Sequence, residues 1–261
     1  MNFPLPFGKM RFHVLTLFPD AFRIITQYSI IGRAVENGLV SVQAADIRQY
    51  TTDRHGTADD YQFGGGPGMV MKPEPVFAAV GAALDDVPGD DRERTPVVLT
   101  SPQGRLLDQK LVDELAAAPG MVIICGHYAG VDERIRTGLI THEISIGDYV
   151  LTGGELAAMV IIDAVSRFVP GVVGSEENVQ EDSITSGLLQ HPLYTRPAEF
   201  LGMETPDVLR SGNHAEIDRW RRHKSLERTL QFRPDLLETA PLTNSDRAYL
   251  ASLGWDGGQN A

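Results

Sequence analysis

The sequence predicts an α/β protein built on a parallel sheet, with a smaller, mainly helical domain at its C-terminal end. Three observations carry this reading. Apolar runs alternate with helical patterns as far as Phe168, the arrangement of a parallel sheet covered on both faces. Glycine-bearing turns follow three of those runs, at the edge where such sheets bind ligands. Beyond about residue 187 the alternation stops.

The elements follow in order. "RFHVLTLF" (11–18) reads as the first strand. Pro19 and Asp20 open a helix with Ala21, Ile24, Ile25, Tyr28, Ile31 and Val35 on one stripe, closed near Gly38. "LVSVQAADI" (39–47) is the second strand. The stretch from Arg48 to Met69 reads as a long loop, a feature that is uncommon and often functional. "TPVVLT" (95–100) is the third strand; the turn "SPQGR" and a helix from Asp108 to Ala118 follow, ended by Pro119 and Gly120. "MVIIC" (121–125) and "THEISI" (141–146) are the fourth and fifth strands, and a helix runs from Gly154 to Phe168. "SEENVQEDSIT" (175–185) is polar, acidic and aperiodic, so it reads as a linker or mobile loop. The expected domains are therefore 1–172 and 187–261, joined by a linker at 173–186.

With 261 residues, 42% of them apolar and 22% charged, the chain can bury a full core and resembles a soluble globular protein. No apolar run approaches the ~20 residues of a membrane span. The N-terminus lacks the pattern of a secretory signal, so a cytoplasmic location is expected. One cysteine excludes an internal disulfide framework and a Cys-based zinc site, and Cys125 reads as a packing residue. The net charge of −12 opposes nucleic-acid binding unless positive charge is local. It is local from Arg210 to Arg233, where seven Arg or Lys face three acids, with His214 and His223 added. Asn213 could cap this helix. A solvated basic helix fits, and so does a phosphate-binding surface with Trp220 in a core. Against the acidic remainder, the local concentration favours RNA or DNA contact.

Three turns carry the glycines: "SPQG" (101–104), "GHYAG" (126–130) and "GDYVLTGG" (147–154). Any one of them is an ordinary βα turn. Three at one edge could line a pocket with backbone N–H and C=O groups. The first strand is followed by no G-x-G-x-x-G, which argues against a dinucleotide domain. "GGGPGM" (64–69) resembles an anion cradle, but no G-K-[ST] follows, so a flexible turn is the simpler reading. Nearby Arg54 and His55 keep a phosphate or base contact open. The helix 154–168 is apolar almost all round and should be buried. Its Arg167 either pairs with Asp163 four residues earlier or faces an anionic group. Asp182, in "QEDSI", has the bland reading of a solvated loop acid.

These stretches, with "LTLFPDAF", "DRHGTADD", "CGHYAGVDERI", "SIGDYVLTGGELAAMVIIDAVSRFVPGV", "HPLYTRP" and "SGNHAEIDRWRR" in order, resemble the bacterial tRNA guanine-37 methyltransferases. Those enzymes modify ring nitrogen 1 and belong to the knotted SPOUT class. The resemblance runs from about Phe12 to Leu237; residues 1–9 read as an extension, and the last ~20 carry no family signal. It implies a deep trefoil knot that binds bent S-adenosyl-L-methionine, its adenine held largely by backbone groups. Gly126 and the run Ile146, Gly147, Asp148, Tyr149, Val150 and Leu151 map onto that site. Ser101, Pro102, Gly104, Gly153 and Gly154 join them from the neighbouring turns. The resemblance makes Asp182 the general base and Arg167 its electrostatic partner. It implies tRNA contacts at Arg54, His55, Ser211, Asn213, His214 and Arg219. It implies a homodimer in which Asp182 serves the partner's cofactor and the helix 154–168 joins the interface. It implies magnesium, though no metal cluster is legible. Two positions depart from the family's usual G-R-Y-E-G: His127 replaces an arginine and Ala129 a glutamate. A ribosomal-RNA methyltransferase of the same class, and a non-catalytic RNA-binding relative, remain the alternatives.

Overall fold

The computed structural model describes residues 10–174 and 182–257. The extension expected at 1–9, the linker residues 175–181 and the last four residues lie outside the described residues. The chain divides into two compact units, 1–174 and 175–261.

Among the described residues the first unit holds seven strands: β1 (Met10–Thr16), β2 (Val40–Asp46), β3 (Asp59–Tyr61), β4 (Met69–Met71), β5 (Val97–Leu106), β6 (Gly120–Cys125) and β7 (His142–Ser145). Five of them form one sheet in the order β2-β1-β6-β5-β7, every pair parallel. These are the five strands the sequence predicts. The helices are α1 (Arg23–Gln27), α2 (Ser29–Glu36), α3 (Pro73–Asp85), α4 (Gln109–Ala116), α5 (Glu133–Leu139) and α6 (Glu155–Ser166).

Central β6 shows why the sheet needs cover on both faces. Alternate residues of a strand point to opposite sides. Met121 and Ile123 join a core with Leu111 and Leu115 of α4 and Ile161, Ile162 and Val165 of α6. Val122 and Ile124 join a second core with Val76 and Val80 of α3 and Ile135 of α5. A polar strand face could not satisfy both layers. Asp108 starts α4 by accepting the Leu111 N–H at 2.7 Å, satisfying one orphan donor of the first turn.

Four expectations change. The single helix from Pro19 to Gly38 is broken: Pro19–Phe22 is a 3-10 turn, and Tyr28 is extended before Ser29 at φ 57°. The break lets α2 turn back so closely that a Cβ on Gly32 would lie 2.8 Å from the Gln27 carbonyl carbon. Ile24 and Tyr28 consequently leave the predicted buried stripe and are exposed. The turn "SPQGR" lies within β5: Thr100 and Arg105 both face Ile144 of β7, so the intervening residues form a bulge. The loop 48–69 contains the antiparallel hairpin β3–β4. Helices α3 and α5 have no counterpart in the sequence reading.

Among the described residues the second unit contains the two-residue strands β8 (Glu199–Phe200) and β9 (Met203–Glu204) and the helices α7 (His214–Phe232) and α8 (Asn244–Ser252). Leu188, Leu226, Leu237, Ala240 and Leu250 form its core. Asn213 caps α7 as expected, its Oδ1 accepting the Glu216 N–H. Trp220, expected in a core, is only half-buried beside His191 and Tyr194. The inward position on α7 belongs to Leu226, about two turns later.

Charged side chains join α7 to α8. The Arg222 guanidinium donates to both oxygens of Asp246, at 3.1 and 2.8 Å. The same carboxylate accepts the N–H and hydroxyl of Thr243 in a capping box. Burial raises the Asp246 pKa, but the Arg222 and Thr243 donors outweigh it and hold the carboxyl at about 2. Tyr249 donates to Glu227 at 2.6 Å, which with burial pushes its phenol up to about 12. His223 stacks on the Tyr249 ring at 3.7 Å.

Candidate active site

The turns at the carboxyl ends of β5, β6 and β7 enclose a cleft of about 170 Å³. Open parallel sheets place ligands at this end. Ser101, Pro102 and Gln103 come from the β5 bulge; 126–131 come from the turn after β6; Ile146, Gly147 and 149–154 come from the turn after β7. Ala157 of α6 and Arg136 of α5 complete the wall.

A backbone hydrogen bond joins the turns after β6 and β7. The Gly154 N–H donates to the Gly126 carbonyl at 2.8 Å. A Cβ at Gly154 would lie 2.8 Å from both the Gly126 nitrogen and the Cys125 Cα, a separation real side chains do not tolerate. Glycine is required there because one loop rests directly on another. Gly147 adopts φ 150° and accepts the Tyr149 N–H at 2.9 Å and the Ser145 hydroxyl at 3.0 Å. The Tyr149 hydroxyl reaches back to the Ile146 carbonyl at 3.2 Å. A tight turn results, held by its own hydrogen bonds at the cleft.

Of the twelve predicted cofactor residues, ten line this cleft: Ser101, Pro102, Gly126, Ile146, Gly147, Tyr149, Val150, Leu151, Gly153 and Gly154. Gly104 and Asp148 do not. The nearest neighbours of a Cβ on Gly104 would be the Glu143 and Ile144 backbone, so its glycine serves the close pairing of β5 with β7. Asp148 is exposed.

The cleft also holds Arg136, which sequence reasoning missed. Arg136 donates to Glu143 at 3.0 Å and to Glu133 at 3.2 Å, fixing its guanidinium at the wall. It lies on α5, which was not anticipated, so nothing in the reading aimed it inward. His127 packs between the rings of Phe18 at 5.2 Å and Tyr128 at 5.4 Å. Glu155 accepts the Thr16 hydroxyl at 2.7 Å beneath the cleft. Cys125 is fully buried, and burial, reinforced by the Glu155 charge, pushes its thiol well above the usual range. It is held as a thiol and is no nucleophile. Ala129 is exposed, its N–H donating to the Met69 carbonyl at 2.9 Å.

Arg167 is the half-buried C-cap of α6, its N–H donating to the Asp163 carbonyl at 3.3 Å. Asp182 belongs to the second unit and is half-buried. Its segment is folded there rather than extended: the Asp182 carbonyl accepts the Ser186 N–H at 3.3 Å, and the Leu189 N–H donates to Thr229 of α7 at 2.9 Å. The described end of the expected linker is thus a turn, followed at Leu189 by a contact with α7. Arg54 and His55 are exposed on a loop of the first unit that the Asp53 carboxylate closes by accepting the His55 N–H at 2.8 Å. Ser211, Asn213, His214 and Arg219 are exposed around the start of α7. Ser211 and Asn213 also build that start, the Ser211 hydroxyl donating to Val208 and accepting the Asn213 N–H.

Among the described residues, no helix is long and apolar enough to cross a membrane, and no group of three or more His, Cys, Asp or Glu could hold a metal ion.

The family described as tRNA (Guanine-1)-methyltransferase TrmD matches residues 10–239 of this chain. A tRNA (guanine-N(1)-)-methyltransferase of Moorella thermoacetica is 54% identical over 244 residues, covering 94% of this chain and 96% of that protein. One of Dehalococcoides mccartyi is 55% identical, covering 94% and 97%. One of Listeria innocua is 48% identical over 241 residues, covering 92% and 97%. The chain belongs to the tRNA (guanine-1)-methyltransferase family.

Proposed function

We propose that this protein transfers a methyl group from S-adenosylmethionine to ring nitrogen 1 of guanine 37 in tRNA, beside the anticodon. The observation that carries the reading is the convergence of three glycine-bearing turns on one cleft, in a chain more than half identical to relatives named tRNA (guanine-N(1)-)-methyltransferase.

The residues present suit the cofactor. A Cβ at Gly153 would lie 2.7 Å from His127 Nε2, and one at Gly154 would strike the Cys125–Gly126 backbone, so glycine at both positions is what lets the turns meet at the cleft. Main-chain groups of Gly126, Ile146, Gly147, Tyr149 and Leu151 would hold the nucleoside. Bound there, the cofactor supplies a sulfonium-activated methyl group. Asp182 takes the proton from guanine nitrogen 1, which is otherwise a poor nucleophile at neutral pH. Arg167 faces the negative charge that builds on the neighbouring carbonyl oxygen. No covalent enzyme intermediate is needed, which agrees with a protonated, buried Cys125.

The proposal includes the trefoil crossing, supported by the direct hydrogen bond between the turns after β6 and β7. It includes a homodimer that shares its active sites. Leu156 and Val160 of α6, one turn apart, are 60% and 44% exposed, and Ile24 and Tyr28 are exposed as well, apolar area that a second copy would cover. The first unit binds the cofactor and the second binds tRNA, in the cytoplasm where tRNA is. The described residues offer no cage of His, Cys, Asp or Glu for magnesium.

The test mixes purified protein, labelled S-adenosylmethionine and tRNA transcripts carrying guanine or another base at position 37. Methylation confined to the guanine transcript is expected. Transfer to every transcript, or to none, would overturn the reading; the second outcome with RNA binding intact would favour a non-catalytic relative.

A further inference from the structure

We infer that Phe63, at the tip of the β3–β4 hairpin, is a stacking platform for an unpaired nucleobase of the RNA substrate. The inference rests on the methyl-transfer reading and adds a recognition residue to it. Phe63 is fully exposed and Tyr61, at the end of β3, is 81% exposed. Burying a phenylalanine is favourable, and among the described residues no contact collects that gain. Between the two strands, Gly64, Gly65, Gly66 and Gly68 take φ values of 86°, 78°, 131° and 86°. A Cβ added at Gly64 or Gly65 would meet nothing within 4 Å, so the tip stands in open space with room beside the ring.

The base of the hairpin is stitched to the cleft. The Met69 carbonyl accepts the Ala129 N–H at 2.9 Å, and the Met71 N–H donates to the Gly130 carbonyl at 3.0 Å. Met71 is fully buried. Ala129 and Gly130 line the cleft, so the hairpin is rooted in its wall.

Chemistry selects the occupant. The adjoining strand carries Asp59 and Asp60, whose charge disfavours a phosphate on the hairpin itself. A neutral π face has no such objection. A protein partner needs a contiguous surface of about 800 Å² on each side. A tip of one ring flanked by glycines does not offer that, whereas stacking needs one ring face. A base stacked on an aromatic side chain is worth about 1–3 kcal/mol, which is roughly 5–150-fold in affinity.

The test compares wild type with Phe63→Ala, Phe63→Leu and Phe63→Trp. Steady-state methylation of a guanine-37 transcript, calorimetric titration with S-adenosylmethionine and filter binding of the same transcript are measured. Phe63→Ala should raise KM for tRNA about tenfold, weaken filter binding alike, and leave cofactor affinity unchanged. Phe63→Trp should restore both RNA readouts; Phe63→Leu, apolar but without a π face, should not. An unchanged tRNA KM in Phe63→Ala, or full rescue by leucine, would overturn the inference. So would loss of the wild-type oligomeric state in Phe63→Ala, which would mark a protein contact. If wild type transfers no methyl group, the function reading fails, while filter binding still decides the stacking question.

Discussion

The cleft of the first unit and the helix pair of the second are held together by different chemistry. Around the cleft, glycine backbones rest on one another, and the bond that joins two turns runs from Gly154 N–H to Gly126 carbonyl. Between α7 and α8, side chains do the joining: Arg222 with Asp246, Tyr249 with Glu227, and His223 on the Tyr249 ring. The difference teaches what each region tolerates. A backbone-built site fails when volume is added and is indifferent to pH. A charge-built junction accepts volume at its rim but depends on protonation.

The largest effect should come from the one side chain asked to move a proton. Asp182→Asn keeps size and polarity and removes the base. Methyl transfer should fall about 10²–10⁴-fold, with calorimetric cofactor affinity near wild type. Normal turnover by this variant would remove Asp182 from its role and leave the cleft without a base.

Next is the backbone contact. Gly154→Ala would force a methyl group to 2.8 Å from the Gly126 nitrogen and the Cys125 Cα. Overpacking of this kind costs about 1–3 kcal/mol. Cofactor affinity should fall roughly 5–150-fold, whereas the second unit should melt as before. Unaltered cofactor binding would show that the turns are not the grip.

The contrast also explains what the sequence could reveal. All five sheet strands were legible, because each is an apolar run bounded by turn residues. So were ten of the cleft's lining residues, because glycines in three successive turns mark close backbone approach. Gly104 misled for the same reason: its glycine serves strand pairing, and a sequence cannot say which backbone comes near. The helix break at Tyr28–Ser29 was hidden, since the stripe of Ile24, Tyr28 and Ile31 continues through it. Arg136 was missed because α5 is a seven-residue helix too short for a periodic signal. The α7–α8 junction was invisible because Arg222 and Asp246 are 24 positions apart and look like ordinary surface charges.

That junction gives a pH test. The Asp246 carboxyl is depressed to about 2 from an ordinary value of 3.8. A depressed carboxylate contributes stability that is complete above the ordinary value and is lost as pH falls through the depressed one. Chemical denaturation of wild type should therefore show the second unit weakening between about pH 4 and pH 2. Asp246→Ala should lower its stability by roughly 1.5–3 kcal/mol at pH 7 and flatten that part of the profile. An unaltered acid profile in the variant would mean that the loss of stability has another source.

The smallest effect sharpens the comparison most, because Asn213 has two claims on it. Its side chain caps α7, and the family resemblance makes it a tRNA contact. Asn213→Ala removes both roles and should lower the stability of the second unit by about 1 kcal/mol. Asn213→Asp restores the cap, since a carboxylate accepts the Glu216 N–H as an amide oxygen does. It also places negative charge where a phosphate would come. Thermal melts of the two variants should therefore separate, with the aspartate variant near wild type. Binding of tRNA should be weakened in both, and more steeply in the aspartate variant at low salt. If the aspartate variant binds tRNA as wild type does, Asn213 belongs wholly to the helix start, and the RNA surface must rest on exposed cations such as Arg219.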